Sequence, residues 1–108
     1  MAYKIYLSNE VKQKIFDIAD YWIDFYNNFE FANIFYSEYR EIEKLLIDNP
    51  NIFPLYKNNI HKIVMLKVKY NLYYYVINNT VTIIDIKAFK EEQWLRNLVK
   101  FPFLYLNY

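Results

Sequence analysis

The chain contains no glycine and no cysteine, and only three prolines, among 108 residues. Without cysteine there is no disulfide framework and no thiolate metal site. Without glycine there is no Gly-rich phosphate loop and no dinucleotide fingerprint. Residues 1–20 lack the basic-then-apolar pattern of a secretory leader. No apolar run approaches the roughly 18 residues that span a bilayer. These features describe a single domain over residues 1–108, expected in the cytoplasm, away from membranes, with no cofactor and no metal. Net charge is also scarce. Thirteen basic and twelve acidic residues leave +1, which argues against a dedicated nucleic-acid binder, because such proteins gain most of their affinity from a basic surface.

Asparagine takes over glycine's conformational role, with 13 copies. It is the best non-glycine residue for left-handed turn positions. Asn27-Asn28, Asn58-Asn59 and Asn78-Asn79 fall where the hydrophobic pattern calls for reversals.

Tyr3 to Leu7 alternates as a short strand. Ser8 or Asn9 can cap the helix that follows, with Glu10 favoured in its first turn. Val11, Ile15, Ile18, Ala19, Trp22, Ile23 and Tyr26 recur at spacings of three and four, so a helix is predicted over 9–26. Ala32, Phe35, Tyr36, Tyr39, Ile42 and Leu45 repeat the pattern and predict a second helix over 29–48, ending before Pro50. The connection is short, which predicts an antiparallel helical hairpin.

Residues 50–60 read as a loop. β-branched and aromatic residues then dominate three runs, near 61–67, 70–77 and 81–87, which predicts an antiparallel meander, with the first strand, near 3–7, added to the same sheet as a further antiparallel strand. Asn78-Asn79 should form the last tight turn with positive φ. Ile15, Ile18, Trp22, Phe35, Ile42 and Leu45 are the expected helical core. They should meet Ile63 or Val64, Leu72 or Tyr73, and Ile83 or Ile84 of the sheet. Residues 88–100 read as helical or irregular, and 98–108 form an apolar C-terminal tail. The class is α+β, ordered β-α-α-β-β-β.

That order and several local motifs resemble the RelE/ParE superfamily of toxins from type II toxin–antitoxin pairs, over roughly residues 3–93. Tyr3-Lys-Ile-Tyr-Leu-Ser8 is similar to the family's opening strand, and Ile15-Phe-Asp-Ile-Ala-Asp-Tyr-Trp22 to its first helix. Leu45-Leu-Ile-Asp-Asn-Pro-Asn-Ile-Phe-Pro54 resembles the close of its second helix. Ile60-His-Lys-Ile-Val-Met65, Asn71-Leu-Tyr-Tyr-Tyr-Val76 and Val81-Thr-Ile-Ile-Asp-Ile86 resemble its three later strands. The resemblance implies an antitoxin partner. It further implies one of three activities: ParE-like poisoning of DNA gyrase by binding, RelE-like cleavage of mRNA on the ribosome, or antitoxin binding retained without toxicity.

Cleavage of RNA needs a base near the ribose 2′-OH, a proton donor for the leaving oxygen and fixed positive charge on the phosphate. The candidates are His61, Lys62, Lys67, Lys87 and Lys90, with Tyr70 nearby and the cluster Tyr73–Tyr75 able to stack bases, although strand alternation splits that cluster between two faces and turns at least one member into the core. Lys69 is a further cation on the same strands. Read from the residues alone, the lysines form a solvated strand face and His61, the single histidine, sits at an exposed strand end. Trp22 and Trp94 read as packing anchors. The only arginines are Arg40 and Arg96. The family's commonly observed strand-opening arginine is replaced by His61. Its basic segment after the last strand becomes Lys87-Ala-Phe-Lys-Glu-Glu-Gln93. These departures favour target binding over cleavage. Seven of the eight residues in 101–108 are apolar, aromatic or proline. Phe101, Phe103, Leu104 and Tyr105 are therefore candidates for contact with an antitoxin, with a second copy of the chain, or with the domain itself.

Overall fold

The computed structural model describes residues 2–91. The tail with Phe101, Phe103, Leu104 and Tyr105 lies outside the described residues, as do Trp94 and Arg96. The element order is β1 (Lys4–Leu7), α1 (Asn9–Tyr26), α2 (Phe29–Asp48), β2 (Leu55–Lys57), β3 (Ile60–Met65), β4 (Tyr70–Ile77) and β5 (Thr80–Ala88).

Polar side chains set the helix limits. The backbone N–H of Val11 donates to Ser8 Oγ at 3.2 Å, which makes Ser8 the cap of α1. Asn27 ends α1 in the left-handed region at φ 50°, donating its N–H to Ile23 O, while Asn28 N–H reaches Trp22 O. Asn28 Oδ1 then accepts from Phe31 N–H at 2.9 Å and starts α2. Two asparagines thus close one helix and open the next. Positive φ recurs at Asn58 and Asn78, as the missing glycine requires, and also at Lys69 in the β3–β4 turn, where no asparagine marks it.

The sheet order is β1-β5-β4-β3-β2. The meander β3-β4-β5 is antiparallel, whereas β1 pairs with β5 in parallel, Lys4 opposite Thr80 and Leu7 opposite Ile83. The antiparallel placement expected for β1 is thereby corrected. A helical hairpin, and no tight turn, follows β1, so local geometry does not oblige it to run against its neighbour. Residues 50–60 also hold a strand. β2 is only three residues long and exposed at every position, and it pairs with β3 through Leu55–His61 and Lys57–Ile60. Its shortness and the preceding Pro54 conceal it from pattern reading.

The helices cover one face of the sheet. Ile15, Phe35, Ile42, Ile63, Leu72 and Ile83 are buried there as expected, joined by Leu46, Met65, Tyr74, Val81 and Ile86. Leu45 is 48% exposed and Leu46 fully buried. The buried face of α2 steps from Phe35 to Tyr39, Ile42 and Leu46, so the last turn is reached by a spacing of four where three was expected. Ile18 and Trp22 are half-buried at the margin.

Strand β5 contains an irregularity that decides which side chains face out. Tyr73 pairs with Asp85 but Tyr74 with Ile83, leaving Ile84 as an extra residue. Strict alternation after Ile83 would turn Asp85 and Lys87 inward. The bulge instead places Ile86 in the core, opposite Leu72.

A lysine and tyrosine surface on the open face of the sheet

On the face away from the helices, β2, β3, β4 and β5 bring Tyr56, Lys62, Tyr73 and Lys87 together. The Tyr56 and Tyr73 rings meet edge to face at 5.4 Å. Lys62 Nζ lies 5.0 Å from the Tyr56 ring centroid, and Lys87 Nζ 5.8 Å from that of Tyr73. Each ammonium is thus placed against a negative ring face. Register explains the grouping: Lys62 is opposite Tyr73, and Lys87 opposite Asn71. Asn71 is buried beside them, and its Oδ1 has no hydrogen-bond partner among the described residues. Tyr75 and Thr82 extend the same face toward Tyr6 of β1.

Asp85 anchors one side of this surface. Its carboxylate takes Lys14 Nζ of α1 at 2.9 Å, the Ile86 N–H at 2.8 Å, and stands 4.0 Å from Lys87 Nζ. One acidic residue therefore ties the hairpin to the sheet and partly neutralises Lys87. The rest of the chain does not balance locally. Residues 9–48 carry nine acidic and four basic side chains, while the other described residues carry seven basic and two acidic ones. The near-neutral total is the sum of a negative hairpin and a positive sheet.

The five catalytic candidates separate. Lys62 and Lys87 join at the tyrosine pair. Lys67 sits in the β3–β4 turn on the other side, lining a shallow groove on α2 with Asn33, Ile34, Ser37, Glu38 and Glu41. Burial pushes the Glu38 carboxyl up, an effect that Lys67 opposes. Lys90 is exposed just past β5. His61 corrects its reading as an exposed strand end. It is 8% exposed, its ring stacks on Tyr74 at 4.7 Å, and its Nδ1 is 2.7 Å from Phe53 O. Its register opposite Tyr74 turns it toward the helix-covered side. Tyr74 is itself buried with its hydroxyl donating to Pro50 O, and burial raises that phenol to about 12.

Alternation could have separated His61 from Lys62, since neighbours on a strand face opposite ways. The pairing of Tyr56 with Tyr73 was out of reach of sequence reasoning because β2 was unread. Asp85 was hidden by the bulge.

No protein-family model matches the chain, and no curated protein matches it with significance. Solved structures do. A chain of the chromosomal ParDE TA system from P. aeruginosa superposes with a TM-score of 0.66 at 13% identity, covering 81% of this chain and 96% of its own. The E. coli toxin RelE, as a double arginine-to-alanine mutant in the free state, gives 0.62 at 15% identity, covering 93% and 97%. At such identities the likeness is one of architecture. Two helices packed on a five-stranded mixed sheet give this chain the RelE/ParE fold.

Proposed function

We propose that this chain is the toxin component of a toxin–antitoxin pair, acting in the ParE manner by binding a target protein and neutralised by a cognate antitoxin. The shared fold supports the toxin reading, and one observation supports binding over cleavage. The histidine that could have served as acid and base is packed between Tyr74 and the Phe53 carbonyl on the covered side. Among the described residues, the open face then offers lysines and tyrosines, without an arginine fork to hold a phosphate. DNA gyrase is the target that the ParE likeness suggests.

Induction should arrest growth, and co-expression of the adjacent reading frame for a small DNA-binding protein should relieve the arrest. Purified protein should inhibit gyrase supercoiling and leave mRNA intact in a translating extract. The surface of Lys62, Lys87 and the exposed Tyr56, laid over the buried Tyr73, supports a second, RelE-like reading, because cations set beside an accessible aromatic ring suit single-stranded RNA. Codon-specific mRNA cleavage that is lost in Lys62→Ala or Lys87→Ala would establish that reading and remove the first.

A further inference from the structure

The tip of the helical hairpin carries an aromatic surface that the sheet does not use. Tyr21, Phe25, Tyr26 and Phe29 surround the Asn27-Asn28 connection and are 45%, 75%, 57% and 58% exposed. Exposed apolar rings gathered this closely mark contact surfaces more often than they mark bare exterior. Tyr21, Phe25 and Tyr26 are also held in place. Tyr21 packs against Phe25 at 5.0 Å, and its hydroxyl lies 3.4 Å from that of Tyr26. Tyr26 packs at a tilt on Trp22 at 4.8 Å, Trp22 stacks on Phe31 at 4.3 Å, and Phe31 continues to the buried Phe35 at 6.3 Å. A ladder of rings thus runs from the solvent into the core, so the outermost rings lose little freedom when something docks on them.

Charge identifies what docks. Between Lys14 and Arg40 the sequence has no lysine or arginine, yet it has Asp17, Asp20, Asp24, Glu30 and Glu38. Asp17, Asp20 and Asp24 are all exposed on α1, and Asp17 and Asp24, four residues before and three after Tyr21, lie on the same flank of the helix as its ring. We propose that this tip docks a basic amphipathic helix of a partner protein. Its apolar side chains lie on Phe25 and Phe29, while its arginines or lysines meet Asp17 and Asp24 and the faces of the tyrosines. Carboxylates strengthen hydrogen bonds to a guanidinium, and rings attract it from above. A helix presents apolar and basic side chains on adjoining faces, which suits a surface where rings and carboxylates stand side by side. The site is separate from the open face of the sheet, whose lysines would repel the same partner.

The test is fluorescence anisotropy of the full chain with a labelled designed helical peptide carrying leucines on one face and arginines on the other. A second peptide has glutamate at every arginine position. The arginine peptide should bind, more weakly as salt is added. A Phe25→Ala, Asp24→Asn double variant should lower its affinity at least about tenfold, since central aromatic and charged anchors dominate such contacts. Leu55→Ala, which trims an exposed apolar residue on β2, should leave it unchanged. All three positions are exposed, and an unaltered thermal midpoint confirms the fold. Absence of binding, equal binding of the glutamate peptide, or indifference to the double variant overturns the proposal. Self-association that Phe25→Ala abolishes also overturns it, by assigning the tip to a second copy. Growth and gyrase are not read, so this inference and the toxin reading fail separately.

Discussion

The hairpin and the sheet expose opposite chemistry on similar amounts of chain. The hairpin shows carboxylates and hydrocarbon rings, Asp17 and Asp24 along the flank of α1 that carries Tyr21 and Phe25. The sheet shows ammonium groups and the Tyr56 phenol, with Lys62 and Lys87 closing over the buried Tyr73. Neither half resembles the average of the two. A net charge of +1 speaks against a strongly basic protein, but it says nothing about a basic face, because a local field depends on where the charges sit. The difference also separates two kinds of aromatic residue. On the hairpin the rings stack on one another into the core. On the sheet they carry cations.

The largest test of this division is at the point where the halves meet. Phe35 is fully buried, touching the ladder at Phe31 and the sheet at Tyr70. Phe35→Ala should lower unfolding free energy by about 3–5 kcal/mol, measured by urea denaturation, because it leaves a ring-sized void. A cost under about 1 kcal/mol would mean that the halves are stable apart.

Next in size is the helical face that joins hairpin to sheet. Leu46→Ala should cost about 2–5 kcal/mol, while the adjacent Leu45→Ala should stay within about 0.5 kcal/mol. Equal losses would place the packing face elsewhere.

Alkaline titration should distinguish the sheet's interior from its surface. Tyr74 is raised to about 12 by burial, and burial with a hydrogen bond to Glu43 raises Tyr39 further. The unfolded chain loses these protons near 10, before the folded chain does. Stability from the neutral phenols is therefore fully present below about 10 and declines as pH rises toward 12. Tyr74→Phe should lower stability near neutral pH by about 1–3 kcal/mol by leaving Pro50 O unpaired, and it should make the loss above pH 10 shallower. An unchanged alkaline limb would show that other groups govern it.

The smallest effect belongs to the ion pair across the two halves. Lys14 and Asp85 are each more than a third exposed, so Asp85→Asn should cost about 0.2–1 kcal/mol. Added salt should shrink that difference. A larger loss would make Asp85 a fastening of hairpin to sheet in its own right.

Legibility followed locality. Both helices, the three meander strands and the turn at Asn78 could be read because their signals lie within a few residues: caps, periodicity and a left-handed asparagine. Leu46 was missed for Leu45 because the helical repeat is not a whole number and the stripe drifts along twenty residues. The parallel direction of β1, the three-residue β2 and the bulge at Ile84 depend on partners distant in the chain, which a local pattern does not carry. The candidate site was half visible for the same reason. Lys62 and Lys87 were candidates by type. Only register could bring them to one pair of tyrosines and turn His61 away.

The pairing of β1 with β5 has a consequence in time. Lys4 meets Thr80 only after a loop of more than seventy residues has closed, whereas the meander forms from neighbours. Closing such a loop is slow relative to forming hairpins and helices. A ribosome delivering this chain releases the opening strand first and must hold it unpaired until residues 80–83 emerge. The edge contact would be the last part of the sheet to assemble, and a chain interrupted before β5 could not complete the fold.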